Sequence, residues 1–135
     1  MIAVEPTPAT YARLVGHLQA NRAFNVQALN IGLSDQRETL QLNLVESGNR
    51  AANTFLQHVV PADTTVAVDC LPMALVLERC RVTHVRGAKL DIEGFEHRVM
   101  AQFFKDAPAS LYPGFIVTEF HEQLVSLAGN QTLSI

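Results

Sequence analysis

The stretch Lys89-Leu90-Asp91-Ile92-Glu93-Gly94-Phe95-Glu96 sets charged and apolar residues in alternation. Side chains of an extended chain point alternately to opposite faces, so Lys89, Asp91 and Glu93 share one side, with Leu90 and Ile92 on the other. Charge inside a sheet layer costs free energy unless it is paired or put to use. That leaves two readings. Either Lys89 neutralises a neighbouring carboxylate at a strand end, or the charges line a cleft for a cofactor and a substrate. Other apolar runs also end on polar groups: Glu5-Pro6, Ser34-Asp35, and Thr118-Glu119-Phe120-His121. A carboxylate such as Glu5 at a strand end of a nucleotide fold can accept hydrogen bonds from a ribose diol; otherwise it is solvated or caps the next helix. His121 is either a general base, for which its near-neutral pKa suits it, or an exposed residue at a helix start. Asp91, Glu93 and His121 have the donor chemistry of a hard divalent ion site, but no metal is assigned to them. His17, His58, His84 and His97 lack spaced partners and read as structural or solvated.

These residues need elements to position them. Met1–Val4 is a short apolar run and reads as a buried strand. Thr7 then serves as N-cap and Pro8 as first residue of a helix, where no N–H is needed. Tyr11, Leu14, Val15 and Leu18 give that helix one apolar face. Val26–Leu33 reads as a second strand. Leu40, Leu42 and Leu44 alternate with Thr39, Gln41 and Asn43, which predicts a half-buried strand forming a hairpin around Asp35-Gln36-Arg37. Residues 45–63 have no period and read as a long surface loop. A brief strand over Thr64–Val68 follows, then a helix over Pro72–Arg81 with Ala74, Leu75 and Leu77 inward. A strand lies within Val82–Asp91, and a helix over Gly94–Phe104 carries Phe95, Val99 and Phe103 inward. A loop over Asp106–Pro113, a strand over Phe115–Phe120 and a helix over His121–Leu127 complete the reading. Alternating strands and helices argue for a layered α/β fold with a mostly parallel sheet. In such a sheet ligands bind beyond the carboxyl ends of the strands, where the polar residues above lie.

With 135 residues the chain holds a single domain, 1–135. Hydrophobic residues at 48% and charged residues at 17% exclude disorder and a coiled coil. No uncharged apolar run reaches the roughly 20 residues of a membrane helix, and the N-terminus does not read as a signal peptide. A formal charge of −3 with scattered arginines gives no stripe for nucleic acid phosphates. Cys70 and Cys80 have no second pair to complete a zinc site and read as two buried free thiols of a cytosolic chain.

In this order the motifs resemble the FkbM family of S-adenosylmethionine-dependent methyltransferases. The matching residues are Val4-Glu5-Pro6-Thr7-Pro8 with Tyr11 and Leu14, Gly32-Leu33-Ser34-Asp35, Val66-Ala67-Val68, the Lys89–Glu96 stretch, and Ile116-Val117-Thr118-Glu119-Phe120-His121. The resemblance implies a Rossmann-like class I methyltransferase sandwich of three layers in a cytoplasmic enzyme. It also implies transfer of a methyl group from S-adenosyl-L-methionine to a hydroxyl of a small molecule or sugar. Glu5 would hold the cofactor ribose, Leu33, Ser34 and Asp35 would lie beside the adenine, and Asp91 would face the methyl donor and the acceptor. Lys89, Glu93, Glu119 and His121 would line the acceptor pocket. A glycine-rich strand and loop, expected ahead of Met1, and a closing hairpin, expected after Ile135, do not occur within the chain. Cys70-Leu71-Pro72 stands where the family has Thr-Leu-Asp. The expectation is therefore a partial domain with an incomplete sheet, interrupted between the strand ending at Glu5 and the one ending at Asp91. Two alternatives carry other functions: a non-catalytic remnant that binds no cofactor and self-associates as a homodimer across open sheet edges, and a different nucleotide-binding module of similar fold.

Overall fold

The structure is a computed structural model and describes residues 1–44, 64–92 and 94–118. Its elements in chain order are β1 (Ile2–Val4), α1 (Pro8–Ala20), β2 (Gln27–Leu29), β3 (Gly32–Leu33), β4 (Glu38–Leu44), β5 (Thr64–Leu71), α2 (Met73–Arg79), β6 (Ala88–Leu90), α3 (Glu96–Asp106) and β7 (Ile116–Thr118). A 3₁₀ turn, Ala109–Leu111, precedes β7. The fold is mixed α/β, as the alternation of periods predicts.

The strands form three small sheets. β1 pairs with β2 and β6 with β7, both in parallel. β5 is the centre of the third, with β3 parallel on one side and β4 antiparallel on the other. This corrects two expectations. Val26–Leu33 is not one strand, because the chain leaves β2 at Asn30 and enters another sheet at Gly32. Nor does β4 close a hairpin on the segment before it. The long β5 runs from Thr64 to Leu71 and takes the position between them. Asn43, expected on the wet face of β4, is 6% exposed.

Among the described residues no strand bridges the β1–β2 pair and the β6–β7 pair. A shared core joins them instead. Val99 and Phe103 of the inner face of α3, with Phe95 at its N-cap, meet Met73 and Leu77 of α2 and Leu90 of β6. Ile2 of β1 and Ile116 of β7 pack on the same cluster. In α2 the buried residues are Met73, Val76 and Leu77, which shifts the expected inward face. A smaller cluster of Leu42, Val68 and Cys70 sits under the three-stranded sheet. Cys70 is buried and Cys80 half-buried, and both are free thiols.

Helix α1 begins as read, with Thr7 as N-cap and Pro8 in its first turn, but the Thr7 side chain makes no cap hydrogen bond. Its apolar residues are half-buried and none is fully buried. No described helix is long and apolar enough to cross a membrane. The loop over 45–63 and the helix over His121–Leu127 lie outside the described residues.

Candidate functional site

Glu5 leaves β1 at its carboxyl end. Its Oε1 accepts the Thr7 N–H at 2.8 Å, at the start of α1. Asn30 pins the same turn from the far side, its Nδ2 donating to the Glu5 and Pro6 carbonyls at 2.8 and 3.1 Å. Glu5 therefore supports the entry to α1 through one oxygen and keeps acceptor capacity on the other. It lines a groove of about 360 Å³ with Thr7, Thr10, Arg13, Leu14 and His17. Neither Asp35 nor Asp91 lines that groove.

The turn after β3 is built differently. Leu33 packs against the main core and Ser34 is fully buried. The Ser34 hydroxyl lies 3.1 Å from Asp35 Oδ1 and in a short contact with Glu38 Oε1. One hydroxyl proton serves one carboxylate at a time, so a second donor is needed. Arg98 of α3 supplies it, with Nη2 at 2.5 Å from Asp35 Oδ1 and 3.6 Å from Glu38 Oε1. Burial pushes the Asp35 carboxyl up, but the Arg98 guanidinium, by hydrogen bond and charge, and the Ser34 hydroxyl outweigh it and hold it below the usual aspartate range. The Arg98 guanidinium also lies over the Phe95 ring, 4.8 Å from its centroid. Glu38 and Arg98 belong to this cluster and were not found from the sequence. Arg98 lies 63 residues from Asp35, and no spacing rule links them.

In the Lys89–Glu96 stretch, Lys89 Nζ bonds Asp91 Oδ2 at 2.8 Å, the strand-end ion pair that was one of the two readings. Both side chains are exposed, which limits the pair to about 0–1 kcal/mol. Glu96 turns inward. Its Oε1 accepts the Ile92 N–H at 2.8 Å and its Oε2 the Gly94 N–H at 2.9 Å. Gly94 has φ 100°, a left-handed conformation that side chains disfavour. The final glycine and glutamate of this stretch therefore shape the loop, and its Lys and Asp are offered outward. A Gly-x-Glu ahead of an apolar helical face was the available signal. Thr118, opposite Leu90 in the β6–β7 register, buries its Oγ1 without a hydrogen-bond partner. Glu93, Glu119 and His121 lie outside the described residues. His17, His84 and His97 are exposed. Among the described residues no group of three or more His, Cys, Asp or Glu side chains could hold a metal ion.

The polar residues thus gather at the carboxyl ends of β1, β3 and β6, but on separate sheets. The model of the methyltransferase FkbM domain matches residues 1–131. The chain belongs to the FkbM methyltransferase family. The match spans every strand end described above, so the FkbM assignment covers the Glu5 turn, the Ser34-Asp35 turn and the Lys89–Glu96 loop together. No curated protein and no solved structure matches the chain.

The cofactor implied by the FkbM family carries a ribose diol, an ammonium and a sulfonium. Glu5, with an acceptor oxygen left at a strand end, and the exposed Asp91 are carboxylates of the kind such a group would need, and they do not line a common groove.

Proposed function

We propose that this FkbM protein transfers a methyl group from S-adenosylmethionine to a hydroxyl of a small molecule, on a Rossmann-like class I scaffold. The observation that carries the reading is the family match over residues 1–131, with Glu5 at the carboxyl end of β1 keeping a carboxylate oxygen open.

S-adenosylmethionine, when bound, supplies a methyl group already activated on a sulfonium. The chain's own task is then mostly positioning. Glu5 would accept the ribose hydroxyls, its backbone fixed by Asn30 and one oxygen by Thr7. Ser34 and Asp35 are committed to Glu38 and Arg98, so beside the adenine this turn would offer its backbone and the Leu33 side chain. Asp91, paired with Lys89, would hold the acceptor hydroxyl or take its proton. Lys89, Glu93, Glu119 and His121 would line the acceptor pocket as the family resemblance implies, with His121 as the other candidate base.

Calorimetry with S-adenosylhomocysteine tests the cofactor. Micromolar binding is expected, weakened about tenfold or more by Glu5→Gln, which exchanges a charged acceptor for a neutral one. No heat at millimolar ligand would sink the reading. Asp91→Asn should abolish methyl transfer.

A second reading has one observation in its favour. The β1–β2 and β6–β7 pairs are not joined by a strand among the described residues. Open edges of this kind favour self-association, here a homodimer without cofactor. Sedimentation showing a dimer, together with silent calorimetry, would support it over the enzyme.

A further inference from the structure

We propose that Arg98 is a positioning residue of the candidate site, clamping the Ser34-Asp35 turn to the first turn of α3, whose Glu96 holds the Ile92 and Gly94 amides, so that the two walls hold one geometry. The proposal rests on the methyltransferase reading for what the walls contain, but the clamp itself stands on contacts.

Arg98 reaches in two directions. Through Nη2 it bonds Asp35 at 2.5 Å and lies 3.6 Å from Glu38, both on the chain that enters the three-stranded sheet. Its guanidinium also lies over the ring of Phe95, the N-cap of α3, which is 3% exposed. One helical turn holds both attachments, because Glu96, two residues before Arg98, accepts the Ile92 and Gly94 amides. On the opposite wall Ser34 is fully buried and bridges Asp35 and Glu38, so the turn is held to Arg98 at two carboxylates. No ladder of backbone hydrogen bonds ties β3 to β6, which sit in different sheets. Among the described residues the guanidinium links the turn after β3 to α3.

The Arg98 and Asp35 side chains are 41% and 38% exposed. A pair so wet adds little to global stability. Its effect belongs instead to the relative placement of the two walls, because one guanidinium both meets the carboxylates through Nη2 and lies over the Phe95 ring.

Hydrogen exchange on the ligand-free protein tests the clamp directly. In Arg98→Leu the Ile92 and Gly94 amides should exchange about five- to tenfold faster, and Asp35→Asn should produce the same rise from the opposite wall. Arg98→Lys keeps the charge without the guanidinium and should fall between; it and Asp35→Asn carry the test if Arg98→Leu does not fold. If Asp35→Asn alters exchange only within residues 34–38, the walls are not coupled and the proposal is overturned. The second arm is S-adenosylhomocysteine affinity, expected to weaken about fivefold in Arg98→Leu while Tm stays within a few degrees. Unchanged affinity, or affinity lost only in step with Tm, also overturns it. A wild-type protein that binds no S-adenosylhomocysteine removes the methyltransferase reading, and the exchange arm still decides the clamp.

Discussion

At Glu96 a single carboxylate accepts both the Ile92 and the Gly94 amides and is 8% exposed. Charge-assisted bonds of this kind contribute about 1.5–3 kcal/mol, and their loss would leave two amides of a tight loop without partners. Glu96→Ala should therefore cost about 2 kcal/mol in urea unfolding, and Glu96→Gln, which keeps one acceptor oxygen, about half as much. A loss below about 0.5 kcal/mol for Glu96→Ala would show that the loop holds its shape without the carboxylate. The sequence revealed the charges of this stretch but not their division of labour. Alternation put Lys89 and Asp91 on one side, and they do pair there. It could not show that Glu96 folds back, because alternation ends at Gly94, where φ becomes positive. Arg98 was harder still. Nothing local distinguishes it from exposed arginines elsewhere, such as Arg13 or Arg37.

Element by element, faces were more legible than partners. Val99 and Phe103 are the buried apolar face of α3, with Phe95 buried as its N-cap, because three- and four-residue spacing fixes a face whatever lies opposite. The β3–β5–β4 order was not legible, since strand neighbours are chosen by contacts distant in sequence. β5 shows what the central place does to a side chain. Cys70 stands between Gly32 of β3 and Glu38 of β4. Burial, with the nearby Glu38 and Asp69 carboxylates, pushes its thiol up from 9.0 to about 11. The folded protein then keeps a proton that the unfolded chain has released, so stability is full below pH 9.0 and falls as pH rises toward 11. Measured by urea unfolding across that window, the slope should flatten in Cys70→Ala. An identical slope in both proteins would mean that Cys70 does not carry it. At Arg81 the C-terminus of α2 takes φ 55°, with Val82 N–H on the Leu77 carbonyl at 2.9 Å. This is a left-handed helix stop with an arginine where glycine is commonest, and a rule keyed to glycine passes over it.

For the whole molecule, the core does what a continuous sheet would otherwise do. Ile2 from one strand pair and Ile116 from the other meet on the α3 cluster, while no described strand bridges the pairs. Phe103, fully buried at that cluster, should therefore be costly to shorten. Phe103→Ala is expected to lose about 3–5 kcal/mol, a large part of the 5–15 kcal/mol of an ordinary domain. Circular dichroism melts should show a strongly lowered, broadened transition. A sharp transition near the wild-type Tm would place the joint between the pairs elsewhere. The way the core spans the two pairs depends on packing that no motif records.

One contact far from the polar strand ends has a use of its own. The Phe115 ring lies so close to Gly87 that a Cβ there would stand 2.3 Å from it. This is at the amino ends of β6 and β7, where Ala88 N–H bonds the Phe115 carbonyl. Aromatic ring currents shield nuclei above the ring face, so the Gly87 α-protons acquire a resonance position set by how β6 and β7 are aligned. That gives the chain a built-in magnetic marker of its strand pairing, legible without any ligand.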